Sequence, residues 1–272
     1  MNYPINVEVG VYRGDVGVRY KEITQLGINK EWEKLLEKID GDPELVNSSA
    51  LVEKNVEHTL NTPLHYAALG SAPKEVFQQL LEKGSSKCLK NLSGETAYDI
   101  GVKTHLPQDT LALIAVPDEV KQKKQVIEKL EEGLHKVILT RVESLIKKNQ
   151  QALPQVAFLF EMGGFYYPVP GMYGGFDVQK NGDEGIETSS WIRVCGGSGQ
   201  KHEIDNEGNV KLVGEGFVWV SIRSNYICTC MLSTYVGIHV ILYFSLGRCL
   251  RHVQLTSLLV ILFSSLPYSV IF

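Results

Sequence analysis

After Glu215 the sequence contains no aspartate, no glutamate and no lysine, and its last 54 residues carry only Arg223, Arg248 and Arg251 as formal charges. A stretch so poor in charge does not build the surface of an ordinary soluble domain. Cysteine is scarce in the rest of the chain, where only Cys88 and Cys195 occur, far apart. That excludes a disulfide framework and points to buried thiols. Residues Met1 to Tyr20 lack a basic start followed by an apolar run, so no secretory signal is expected and a reducing, cytoplasmic setting is. A basic surplus is missing too. Three of the 27 Lys and Arg residues lie in the tail, which leaves 24 against 31 acidic residues before it. Along 118–150 the two signs are interleaved, and nucleic-acid binding finds no support.

The usual chemical signatures are also absent. The loop Gly196 to Gly199 lacks the Gly-x-x-x-x-Gly-Lys order of a phosphate cradle and reads as a tight turn. Position 200 is Gln, so Ser198 forms no Gly-x-Ser-x-Gly elbow, and Ser198, His202 and Glu203 read as surface strand residues rather than a triad. Cys228, Cys230, Cys249 and His252 match none of the common zinc spacings. No catalytic residue, metal or cofactor is expected, and the protein is read as non-enzymatic.

What the chain does contain is 272 residues that are 44 % apolar, enough for a sizeable core. Its plainest local statement is Asn61-Thr62-Pro63-Leu64-His65-Tyr66-Ala67-Ala68-Leu69-Gly70. Thr62 suits a helix N-cap, Pro63 the first helical position, and Leu64, Ala67 and Ala68 a small apolar face that lets a second helix lie close. That helix follows, with Val76, Phe77, Leu80 and Leu81 at helical spacing and Gly84 as the left-handed stop. His65 is expected to be a structural hydrogen-bonding residue. Upstream, Trp32, Leu35, Leu36 and Ile39 mark another amphipathic helix, closed by Pro43-Glu44-Leu45-Val46-Asn47. Downstream, Gly94-Glu95-Thr96-Ala97-Tyr98-Asp99-Ile100-Gly101 restates the pattern. Thr62 and Thr96 lie 34 residues apart. A short helix at about 108–115 follows.

The Thr-Pro-Leu-His, Ala-Ala and Leu-Leu-Glu-Lys-Gly sequence resembles an ankyrin repeat, whose period is about 33 residues. The resemblance assigns repeat-structural roles to Thr62, Pro63, Leu64, His65, Ala67, Ala68 and Gly84. It implies a degenerate first repeat, a clear one at about 58–91 and a divergent one at about 92–117. In the divergent repeat Ala97 replaces the proline and Asp99 the histidine.

Residues 118–153 read as one or two amphipathic helices that break at Gly133 and pack against the last repeat; sustained heptads are missing, which disfavours a coiled coil. From Phe158 the sequence turns to glycine, aromatics and alternation. It implies strands at about 176–179, 188–195, 201–205 and 209–213. Pro-Val-Pro-Gly-Met-Tyr-Gly-Gly-Phe, Ser-Trp-Ile-Arg-Val, Gly-Gly-Ser-Gly-Gln-Lys-His-Glu-Ile and Glu-Gly-Phe-Val, over Tyr167 to Val218, resemble a C-terminal module that follows ankyrin repeats in some predicted proteins. No activity comes with that resemblance. Such relatives end near the last motif, which implies that the tail is an extension.

The fold expected is therefore α+β: an N-terminal arm (1–25), a short all-α ankyrin-repeat array (26–117), a helical connector (118–153), a small antiparallel β-module (154–218) and a hydrophobic tail (219–272). The tail has two runs free of charge, 224–247 and 253–272, each about as long as the ~20 residues that span a bilayer. Two readings of it stay open, a membrane-inserted helical hairpin and a non-homologous extension. The leading functional expectation is an adaptor or scaffold for a protein partner, contacted through His58, Asn61, Tyr66, Asn91 and Glu95. An alternative places a small-molecule or catalytic site in the β-module, lined by Tyr167, Tyr173, Trp191, His202 and Glu203. A third is an ankyrin scaffold tethered to a membrane through 224–272.

Overall fold

A computed structural model describes residues 6–7, 15–50, 59–149, 151–172, 174–182, 185–192, 198–216, 230–233 and 239–242. Among these residues the chain forms nine α-helices, a 3-10 helix and a five-stranded antiparallel sheet, an α+β fold. It divides into two compact units, Met1–Phe217 and Val218–Phe272.

The first unit begins with three helix pairs: α1 (Asp15–Ile28) with α2 (Trp32–Gly41), α3 (Pro63–Leu69) with α4 (Lys74–Glu82), and α5 (Ala97–Lys103) with α6 (Gln108–Ile114). One turn joins each pair. Lys30, Ser71 and His105 adopt left-handed backbone at φ 60, 50 and 57°. The next amide then reaches back into the preceding helix: Glu31 N to Leu26 O at 3.0 Å, Ala72 N to Ala67 O at 2.9 Å and Leu106 N to Gly101 O at 2.9 Å. This bond satisfies a carbonyl that the helix end leaves free. The helices α1, α3 and α5 form one row and α2, α4 and α6 a second. Between the rows lie Leu64, Ala67, Ala68, Phe77, Leu80 and Ile114, all at most 1 % exposed. Burying a Phe77 side chain alone contributes about 2–3 kcal/mol.

The arm expected over 1–25 is helical from Asp15 onward. Its buried residues are Gly17, Tyr20, Ile23, Thr24 and Gly27. With one strong hydrophobe among the five, α1 is held by docking on α2 and α3 rather than by its own amphipathicity. The 3-10 helix Pro43–Asn47 ends in a buried amide that ties the first pair to the second. Asn47 Nδ2 donates to Gly84 O at 2.9 Å, and Asn47 Oδ1 accepts from Ser86 N at 2.8 Å. Gly84, at φ 94°, closes α4 as its sequence position demands.

Next come α7 (Asp118–Gln122), α8 (Lys124–Asn149) and α9 (Ala157–Met162). The helix α8 does not break at Gly133. It leaves helical geometry at Val142, at φ −143 and ψ 26°. Gly133 serves close approach instead, since a Cβ there would lie 2.6 Å from Ile204 Cγ2 and 3.0 Å from the Gly208 carbonyl oxygen. Nor does α8 pack on the last helix pair as expected. It lies across the sheet, which runs in the order β3 (Gly164–Val169), β4 (Gly174–Asn181), β5 (Gly185–Ile192), β6 (Ser198–Ile204) and β7 (Val210–Glu215). Leu130, Leu134, Val137 and Ile138 of α8 share one core with Phe158 and Leu159 of α9 and with Phe165, Tyr167, Phe176, Val178, Ile186 and Ile204 of the sheet. Connector and β-module are thus one body, because the apolar stripe of α8 is the cover the sheet's inner face requires.

Two side chains bind this body to the helix pairs. The Glu161 carboxylate accepts from Ser86 Oγ at 2.5 Å, Lys87 N at 3.0 Å and Cys88 N at 3.3 Å. Gln155 pairs with both main-chain groups of Lys90, each at 2.8 Å. A short parallel pair, β1 (Asn6–Val7) with β2 (Ser49–Ala50), completes the unit.

In the second unit the described residues are an antiparallel pair, β8 (Cys230–Ser233) and β9 (His239–Leu242). Both fall in the run 224–247, for which a membrane helix was one reading. The run 253–272 lies outside the described residues. Among the described residues no helix is long and apolar enough to cross a membrane.

Candidate functional site

Two loops set the edge of the helical rows, and they repeat each other. Leu60 and Gly94 both have positive φ, 61 and 76°, and stand two residues before Thr62 and Thr96. Each threonine then caps a helix with help from the third helical residue. Thr96 N and Oγ1 donate to Asp99 Oδ2 at 2.8 and 2.7 Å. In the preceding loop Thr62 N donates to His65 Nδ1 at 3.2 Å, and Thr62 Oγ1 lies 2.8 Å from the same nitrogen. Asp99 therefore keeps the capping role of His65. With Nδ1 accepting, His65 Nε2 donates to Glu95 O at 3.2 Å and links the two loops. The ring is 1 % exposed, and burial holds its pKa down at about 4 despite the neighbouring Glu95 carbonyl.

Leu60 occupies the left-handed position that Gly94 fills in the next loop. An L-residue there costs about 1–2 kcal/mol, and the half-buried side chain returns part of it. Leu60→Gly is expected to raise stability by about 0.5–1 kcal/mol, read as an increase in Tm; a decrease would mean that the Leu60 contacts outweigh the strain.

Asn61, Tyr66, Asn91 and Glu95 do come together, but mainly with one another. Asn61 Oδ1 accepts from Asn91 Nδ2 at 3.1 Å, and Asn91 Oδ1 accepts from Ser93 N and Glu95 N, both at 3.0 Å. Leu92 N donates to Thr59 O at 2.8 Å. The Glu95 carboxylate pairs with Lys103. Tyr66 packs over Gly27, whose Cβ would lie 2.8 Å from the ring. Burial pushes the Tyr66 phenol up, against hydrogen bonds with Thr59 and Asn61. The polar atoms expected to meet a partner are spent on holding the loops; His58 lies outside the described residues.

Exposed apolar side chains occur near the start of α1 (Val18), in β7 (Leu212 and Val213) and at the other end of the first-row helices. Ile28, Leu69 and Val102 are each 47 % exposed at the C-terminal ends of α1, α3 and α5. Ile28 and Leu69 sit two residues before the left-handed turn residue, and Val102 sits three before. These positions emerge from the sequence only when the three turns are aligned. Leu92, at the loop tip, is 60 % exposed.

The residues expected to line a pocket in the sheet are split between its faces. Tyr167 is buried in the core, donating from Oη to Ala152 O at 2.9 Å. His202 pairs with Thr188 on the same helix-facing side. Trp191 stacks on Tyr166 on the outer face, ring centroids 5.5 Å apart. Glu203 also faces outward, opposite Glu187, which pairs with Lys201 at 2.8 Å. Tyr173 lies outside the described residues. Ser198 and His202 share a face but are four strand residues apart, about 13 Å, beyond reach of a nucleophile and its base. Burial, then the Glu161 charge, raises the Cys88 thiol above its usual range, which keeps it un-ionised. Among the described residues no group of three or more His, Cys, Asp or Glu side chains could hold a metal ion.

No protein-family model matches the chain. No curated protein matches it, and no solved structure does.

Proposed function

We propose that the three helix pairs are a short ankyrin-type array and that the protein is a non-enzymatic adaptor which holds a protein partner on that array. The recurring left-handed turn, the 34-residue step between capped threonines and the two-row stacking of short helices support the architecture. The observation that carries the function is the apolar series Ile28, Leu69 and Val102 on three successive helices. Scattered single apolar residues are ordinary on a surface, whereas exposed apolar residues at the same end of three successive first-row helices offer a partner several apolar contacts.

The test uses the full chain with all three residues changed to serine. Partners are captured by cross-linking in a native extract, and the partner retained by the wild type is then purified and titrated directly. The triple variant is expected to keep its Tm and to lose binding at least about tenfold, the equivalent of about 1.4 kcal/mol. Equal binding by a folded triple variant would remove this face from consideration.

A further inference from the structure

The hairpin between β4 and β5 turns at Asn181-Gly182, and no other asparagine in the chain precedes a glycine. Asn181 is the last residue of β4 and pairs with Gly185, the first of β5. Gly182 follows it in left-handed backbone at φ 69°. The dipeptide that suits a tight hairpin is also the one least protected against its own chemistry, because a glycine places no side chain beside its amide nitrogen.

The surroundings add no protection. Both residues are exposed, and the space that a Cβ on Gly182 would enter holds no atom within 4 Å. The Asn181 carboxamide makes no hydrogen bond among the described residues. Other asparagines are held: Asn149 Nδ2 donates to Pro170 O at 2.8 Å and Asn209 Nδ2 to Asp205 Oδ2 at 3.0 Å, and Asn47 is fixed between Gly84 and Ser86. Each of these three also precedes a residue whose side chain crowds the next amide.

We propose that Asn181 is a site of spontaneous deamidation and that the folded protein accumulates aspartyl and isoaspartyl forms at the end of this hairpin. The Gly182 nitrogen gives up its proton to hydroxide and bonds to Cγ of Asn181, while the carboxamide nitrogen takes up a proton and leaves as ammonia. Water then opens the five-membered imide. Opening at Cγ gives aspartate; opening at the main-chain carbonyl gives isoaspartate, whose main chain runs through Cβ and is one methylene longer. Asn181 borders a cleft at the end of the sheet with Glu203, Asp205, Asn209 and Lys211. Either product brings a further carboxylate to that cleft, and the isoaspartyl form also lengthens the turn between Asn181 and its partner Gly185. The proposal is independent of the adaptor reading, since it uses no residue of the helix pairs.

The experiment incubates the full chain at neutral pH, folded and in parallel unfolded in urea, and follows its peptides by mass. In the folded sample the Asn181 peptide is expected to gain about 1 Da in two chromatographic forms. One of them should accept a methyl group from S-adenosylmethionine in the presence of an isoaspartyl methyltransferase. The peptides of Asn47, Asn149 and Asn209 should change at least about tenfold more slowly, because a side chain crowds each attacking amide. Mild base should speed the gain, since the attacking nitrogen must lose its proton. Asn181→Gln, which would have to close a six-membered ring, should keep the fold and lose the gain. An Asn181 that stays intact in the folded chain while the unfolded sample gains the dalton overturns the proposal, because pairing with Gly185 would then hold the ring atoms apart. A gain that appears first at another asparagine overturns it as well.

Discussion

Glu161→Ala is expected to destabilise the full chain by about 3 kcal/mol and to separate its unfolding into two transitions. The carboxylate of Glu161 receives the Ser86 hydroxyl and the amides of Lys87 and Cys88. Each hydrogen bond to a charged group contributes about 1.5–3 kcal/mol, and an amide left buried without a partner costs about 1–3 kcal/mol. Half-burial of the carboxylate and the entry of water reduce the sum to about 3 kcal/mol. Cys88 and Leu89, beside these bonds, belong to the sheet-side core, so loosening them weakens the joint between the helix pairs and the sheet. Denaturant unfolding followed by far-UV and by aromatic near-UV signals reads both effects, because Phe158, Phe165 and Tyr167 report on the sheet side. Coincident transitions with an unchanged midpoint would show that Glu161 contributes nothing to the joint. Glu161→Gln, which keeps the acceptor and removes the charge, should fall between wild type and alanine.

Acidification is expected to remove about 3 kcal/mol of stability between pH 6.5 and 4, most of it through His65. The ring has a folded-state pKa of about 4 against an ordinary value of 6.5. The cause is burial first, with the Glu95 carbonyl and the carboxylates of Glu95 and Asp99 opposing it. Because the folded value is the lower one, the unfolded chain binds the extra proton. The stability tied to neutral His65 is therefore fully present above pH 6.5 and falls as pH drops toward 4, where the slope flattens. A difference of 2.5 pH units corresponds to about 3.4 kcal/mol in full, of which about 2.6 kcal/mol is lost between pH 6.5 and 4. Unfolding free energy measured against pH should show this slope in the wild type and a reduced one in His65→Gln. His202, held below its ordinary pKa by burial and then by the Arg141 charge, leans the same way. An identical slope in His65→Gln would mean that the ring is not buried neutral.

The stretch from Thr62 to Gly84 was legible because its signals are local: a capping hydroxyl, a proline at the first helical turn, two small residues and a left-handed stop. The helix α1 was not, because its buried face contains one strong hydrophobe, and its helicity depends on α2 and α3. Gly133 reads as a helix break from propensity alone, whereas its role is set by a neighbour, the turn at Gly208, that only the fold brings near. The apolar stripe of α8 announces that one face is buried without saying against what. Alternation located four of the five strands. It also implies that His202 and Glu203 face opposite ways, since neighbours on a strand always do. That Trp191 joins Glu203 and that Tyr167 lies in the core needed the cross-strand register. Asn61 and Asn91 were placed in the right neighbourhood, but a polar residue on a loop carries no mark that distinguishes an open contact from an internal strut.

The junction made by Glu161 and Gln155 meets residues 86–90 mostly through main-chain groups, with the Ser86 hydroxyl and the Cys88 thiol as the side chains it touches. Such a joint is indifferent to what Lys87 or Lys90 becomes over generations of sequence drift. It is unforgiving of length, because inserting or deleting one residue between Ser86 and Lys90 moves every amide out of step with both side chains at once. The segment is thus free to change at Lys87 and Lys90, held to its apolar character at Cys88 and Leu89, and fixed in count.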